Sequence, residues 1–241
     1  MLKKLSYLFL FCMLSQSVFA AENLYAKHYK EQNDGHLTSQ QANPDTKLFV
    51  SNHYDEDNIS MLENGYDMMG TSGFEAGDVP ADLALQHGRD IKADTVLVYT
   101  KYASKNTGVS KLQLIKEAAK AGKELTEKDV KDDGEQYKYY ASYWAKLPPP
   151  LLGVHIVKLT QIEDEKKIAL TGLRVLAVIK GSPAEKAGLL RGDTINKIGN
   201  TELNKPEELS AAVRQLQGQK VAIEYTRDEA KAVTTAVINQ R

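Results

Sequence analysis

The chain has 241 residues, with 31 Lys and Arg against 32 Asp and Glu, a formal charge of −1. Such a balance gives no electrostatic basis for binding nucleic acid or a membrane surface. Cys12 is the single cysteine, so neither a disulfide framework nor a multi-thiolate metal site can brace the fold.

The first residues read as an export signal. Lys3 and Lys4 precede a mostly apolar run from Leu5 to Leu14, and Val18-Phe19-Ala20 offers small residues where a signal peptidase needs them. Residues 1–20 are therefore expected to be a signal peptide cut after Ala20, which makes the mature protein periplasmic or secreted. The apolar run is too short to remain as a membrane anchor. Phe11, directly before Cys12, is too bulky for a lipoprotein cleavage site. Losing Lys3 and Lys4 leaves 29 basic residues against 32 acidic ones.

Residues 21–46 are polar and weakly periodic, which predicts a mobile arm with a short helix near Leu24 to Lys30. An α+β domain of unknown role is expected over 47–147. Its predicted elements are a strand at Leu48 to Ser51, a helix from Asp55 to Glu63 ended by Gly65, and a strand at Tyr66 to Gly70. A helix over Val79 to Ile91 and a β-branched strand at Thr95 to Tyr99 follow, suggesting a βαβ unit. Lys101 to Glu135 is a lysine-rich, solvated excursion with a surface helix over Lys111 to Ala121. The chain returns at Tyr137 to Leu147 as an aromatic strand. Tyr139, Ala141, Tyr143 and Ala145 fall on one face, with Tyr140 and Trp144 on the other. Pro148-Pro149-Pro150 then breaks any hydrogen-bond ladder and acts as a stiff spacer.

The most specific stretch is Gly181 to Ile195, G-S-P-A-E-K-A-G-L-L-R-G-D-T-I. Ser182 and Pro183 suit the N-cap and first turn of a short helix, and Ala184 and Ala187 allow close packing on a sheet. Asp193 is placed to bond backbone amides at the entry to the next strand, Thr194 to Ile198. A strand at Leu173 to Ile179 precedes the motif. A helix over Pro206 to Leu216, with Leu209, Ala212, Val213 and Leu216 at helical spacing, follows it. Strands at Val221 to Thr226 and Val233 to Ile238 close the chain around a turn at Arg227 to Glu229.

This segment resembles the G-S-P-A-x-x-A-G-L-x-x-G-D-x-I stretch of bacterial PDZ domains in the periplasmic high-temperature-requirement serine proteases. The resemblance covers 148–241 and leaves out the protease domain. Together with the elements read above, the fold class is α+β: an N-terminal α/β sandwich-like domain, followed by what the resemblance implies, a PDZ-type partly open β-barrel with two helices. The resemblance also implies recognition of protein C-termini or extended peptide segments by strand addition. Two loops match the X-Φ-G-Φ pattern that holds a carboxylate. Leu151-Leu152-Gly153-Val154, leading into a strand at His155 to Thr160, is preferred to Leu170-Thr171-Gly172-Leu173. The expected peptide-binding residues are Leu151, Leu152, Gly153, Val154, Ile156, Leu209 and Val213.

No catalytic, metal or cofactor site is expected. Gly70-Thr71-Ser72-Gly73 has the form of a serine-protease nucleophile motif, but such an enzyme needs His and Asp partners on two β-barrels earlier in the chain. Only His28, His36 and His53 precede Ser72, in too short a stretch. His53, Asp55 and Asp57 read as solvated and helix-capping residues rather than metal ligands. His155, on the proposed pairing strand, and His87 are the remaining histidines. The expected role is a non-catalytic adaptor or scaffold; an enzymatic N-terminal domain and a self-associating structural protein are the alternatives.

Overall fold

The structure, a computed structural model, describes residues 22–32, 37–103, 108–124, 136–163 and 166–240. The expected signal peptide lies outside these residues. The first body is a five-stranded sheet in the order β1-β3-β5-β4-β2. Its strands are β1 (Tyr29–Glu31), β2 (Lys47–Ser51), β3 (Tyr66–Ala76), β4 (Thr95–Tyr102) and β5 (Tyr137–Lys146). Its helices are α1 (Leu24–Lys27), α2 (Tyr54–Glu63), α3 (Asp82–Asp90) and α4 (Gly108–Ala121).

β5 occupies the middle and both of its neighbours run antiparallel to it. β3, α3 and β4 therefore follow one another as expected, but β3 and β4 do not pair. The aromatic strand from the end of the domain separates them. Alternation along β5 divides the core in two. Tyr139, Ala141, Tyr143 and Ala145 join Val96, Val98 and Ala84 on the α3 side. Trp144 joins Leu97 and Tyr99 on the other, where Met61 and Leu62 of α2 cover them. Helices thus lie over both faces of the sheet, which gives the α/β sandwich.

The expectation of a mobile arm over 21–46 fails for its first part. β1 pairs with β3, Tyr29 opposite Ser72, and Tyr25 is completely buried. Tyr25 stacks edge-on against Phe74 and Tyr139. A polar segment was docked by a few aromatic anchors, because one fully buried tyrosine removes as much apolar surface as several scattered side chains.

The second body is an open sheet in the order β13-β12-β10-β9-β6, with β11 added to β10. Its strands are β6 (Val154–Val157), β9 (Leu173–Val178), β10 (Thr194–Ile198), β11 (Thr201–Glu202), β12 (Lys220–Arg227) and β13 (Ala230–Val237). Between β6 and β9 the chain forms a hairpin of β7 (Thr160–Glu163) and β8 (Lys166–Ala169). Two helices, α5 (Pro183–Lys186) and α6 (Pro206–Gln215), lie against the sheet around Leu173, Ile195, Ile198, Leu209, Val213 and Ile223. The expected turn at Arg227 to Glu229 is a two-residue hairpin, with φ of 48° at Asp228 and 66° at Glu229. These mirror-image angles match the twist of paired strands. Asp193, 1% exposed, accepts hydrogen bonds from Leu190 N–H and from Arg227 Nε and Nη2, so the motif aspartate ties the turn to the closing strands.

The two bodies touch. The Lys180 amide donates to the Glu63 carbonyl at 2.8 Å, and Lys180 Nζ donates to Asn64 Oδ1 at 3.3 Å. A cleft of about 370 Å³, lined in part by Asn64, Lys146, the three prolines and Lys180, lies between them.

Candidate functional site

The groove is built by β6, an edge strand, and α6. Pro206 occupies the first turn of α6, where its missing N–H costs nothing. The helix buries Leu209, Ala212 and Val213. Between Leu209 and Val213 on one wall and Leu152, Val154 and Ile156 on the other runs a groove of about 240 Å³. Leu151 and Gly153 also line it, so all seven residues expected from the sequence meet in one place. Ser210 and Arg214, which the sequence reading passed over, stand along the rim. They follow Leu209 and Val213 by one position each, and helical spacing alone would have placed them there.

The loop leading into β6 has its carbonyls turned into the fold. Leu151 C=O accepts from Asn239 N–H, Leu152 C=O from Ala184 N–H, and Gly153 C=O from Ile179 N–H, at 2.9–3.0 Å. Asn239 Nδ2 also donates to the Pro150 carbonyl at 2.8 Å. No acceptor among the described residues takes the N–H of Leu152 or Gly153. Gly153 has φ of +91°, and a Cβ there would collide with Ser182 and press on Pro150. Only glycine fits both the angle and the space. The loop therefore offers unpaired amide donors beside an open strand edge, an arrangement suited to a carboxylate.

The second loop is differently placed. Leu173 is wholly buried in the core, and the carbonyls of Leu170 and Gly172 accept from Lys158 Nζ. It turns the chain into β9 and contributes nothing to the groove lining.

His155 faces away from the groove, on the opposite side of β6 from Val154 and Ile156. Its ring meets the first body at the Leu62 carbonyl and near Asp67. Burial holds its pKa below the usual histidine value, with Asp67 and the Leu62 carbonyl pulling the other way. His87 is likewise depressed by burial, opposed by Asp90. Its ring lies edge-on to Tyr29 and Tyr143.

Ser72 is buried, and its hydroxyl donates to the Tyr25 carbonyl at 2.7 Å. Gly70 lies beneath the Tyr29 ring, where a Cβ would come within 2.5 Å of it. Gly70 and Ser72 of the protease-like motif thus seat the α1–β1 segment, while Gly73 faces Tyr140 of β5. Asp57 accepts from the Tyr99 hydroxyl at 3.2 Å. No group of three or more His, Cys, Asp or Glu placed to hold a metal occurs among the described residues.

Residues 174–227 match the PDZ domain family model. The C-terminal body is a PDZ domain, of the type carried by HtrA- and DegP-like proteases. The chain is similar to a probable periplasmic serine endoprotease DegP-like of Pseudomonas putida strain GB-1, 26% identical over 156 residues, 65% of this chain and 31% of the relative. It is also similar to the serine protease Do-like HtrA of Lactococcus lactis subsp. lactis strain IL1403, 33% identical over 91 residues, 34% of this chain and 22% of the relative. Less than a third of either relative is spanned. Among solved structures, the HtrA3 PDZ domain bound to a phage-derived ligand aligns at 23% identity and a TM-score of 0.29, over 36% of this chain and 81% of that one.

Proposed function

We propose that this protein is an exported, non-catalytic adaptor that holds the C-termini or extended segments of envelope proteins in the groove between β6 and α6. The observation that carries this reading is the pair of unpaired amides at Leu152 and Gly153, directly before an open strand edge. A ligand strand would run antiparallel to β6, its carboxylate on the amides of Leu152, Gly153 and Val154. Its last apolar side chain would lie between Leu152 and Val154 on one side and Leu209 and Val213 on the other. The periplasmic relatives support an envelope location. No helix among the described residues is long and apolar enough to cross a membrane. N-terminal sequencing of the exported form should begin at Ala21.

So small an interface binds weakly, at roughly micromolar to millimolar Kd. The test is fluorescence polarisation with apolar C-terminal peptides as free acids and as amides. Amidation should weaken binding about tenfold or more, since a hydrogen bond to a charged group contributes about 1.5–3 kcal/mol. Gly153→Val should abolish binding while leaving the fold of the first body intact. Equal binding of acid and amide would remove the carboxylate site.

A further inference from the structure

The five-stranded sheet of the first body ends in β1 on one side and β2 on the other. β1 is three residues long, and its Lys30 and Glu31 are both exposed. A short, charged edge resists pairing with another chain. β2 has β4 as its single neighbour, and its middle residues, Leu48, Phe49 and Val50, hold no charge, proline or bulge. Phe49 is 53% exposed and Val50 66%. An unprotected apolar edge of this kind is a template for strand pairing.

The phase of the outward groups follows from one hydrogen bond. Lys47 N–H donates inwards, to the Asp94 carbonyl at 2.9 Å. Backbone groups alternate along a strand, so Phe49 and Ser51 also turn towards β4. Leu48 and Val50 then turn N–H and C=O away from it. No acceptor among the described residues takes those two N–H groups. Side chains alternate as well. Leu48 packs into the core on the α3 side, which puts Val50 on that face and Phe49 on the face of α2.

We propose that β2 pairs antiparallel with β2 of a second copy of this chain, about a two-fold axis at Phe49, so that the two five-stranded sheets become continuous. The occupant is a second copy because the edge is complementary to itself. With Phe49 opposite Phe49, Leu48 of each copy lies opposite Val50 of the other. These are the residues with free outward groups, and such a pair exchanges both hydrogen bonds. Phe49 forms the closer, non-hydrogen-bonded pair, where side chains meet. Lys47 meets Ser51, at the end that leads into Asp55, Glu56 and Asp57 of α2. Asp45 comes opposite His53. No like charges face one another along this register, as an isologous interface requires. The contact is small, so the dimer is weak, with a Kd in the roughly micromolar range.

Sedimentation equilibrium of the exported chain, from about 1 to about 200 μM, brackets that affinity and should show a monomer–dimer equilibrium. Phe49→Lys sets two ammonium groups against each other at the axis. Val50→Pro removes an outward donor from each copy and spares the β4 ladder. Each should weaken the dimer about tenfold or more. A chain that stays monomeric throughout overturns the proposal and leaves the edge to a strand of another protein. A dimer that both substitutions leave unchanged overturns it as well, because association then lies elsewhere. Single cysteines read the register separately, since Cys12 precedes the expected start at Ala21. Under mild oxidation Phe49→Cys should cross-link two copies, its Cα atoms lying about 4.5 Å apart, and Leu48→Cys and Val50→Cys should not. Cross-linking strongest at 48 or 50, or at none of the three, overturns the pairing even where Phe49→Lys fails to fold.

Discussion

A buried histidine, His87, and a half-buried one, His155, oppose protonation in the folded chain. Both His87 and His155 are held below the ordinary histidine value of 6.5, by burial first. As pH falls through that value the unfolded chain takes up protons that the folded chain resists. Stability from these groups is therefore complete above about pH 6.5 and declines below it. The thermal midpoint should fall between about pH 7 and pH 5, and less steeply in a His87→Phe, His155→Leu double variant. An unchanged slope in that variant would assign the acid response to other groups. Single residues also mark the limit of reading without a structure. The groove residues were legible because helix spacing, strand alternation and a glycine between apolar residues each act locally. Ser72 and Gly70 were not, because their work is to receive Tyr25 and Tyr29, more than forty positions away.

At the scale of elements, the first body departs most from its sequence pattern. The early acids and Gly65 mark α2, apolar spacing marks α3, a β-branched run marks β4, and alternation gives the two faces of β5. Which strands neighbour one another is not legible in this way, since sheet order follows from tertiary packing rather than from any segment's own pattern. The polar composition before Lys47 predicts a mobile arm with a short helix; the helix is there as α1, but Tyr25 is buried and β1 completes the sheet edge. Tyr25→Ala should lower stability by about 3–5 kcal/mol, the usual effect of truncating a buried aromatic. Urea denaturation measures it, and a loss below about 1 kcal/mol would mean that α1 is not seated as described. In the second body the Gly181 to Ile195 stretch was legible throughout, because each residue type answers to one turn, cap or close approach.

For the whole molecule, the Pro148–Pro150 spacer joins two apolar cores that each close on themselves. Residues 148–241 should fold alone, with a cooperative melt by circular dichroism. The midpoint should lie a few degrees below that of the same body in the full chain, because the contacts of Glu63 and Asn64 with Lys180 are lost. A fragment that stays unfolded would place the boundary elsewhere. A fragment ending at Tyr102 should behave in the opposite way and show no sheet, because its strands can form only the pairs β1–β3 and β2–β4. The central position of β5 has a consequence for the time course of synthesis. The strand that joins those pairs is the last of its body to be made, so the first body cannot close while its chain is still emerging. Val96 and Val98 wait with an unpaired edge until Lys146 has followed. Pairing partners this distant in sequence close slowly. Export as proposed above would pass the N-terminal half with its sheet still in two pieces, a state suited to threading and one that a holding chaperone would recognise.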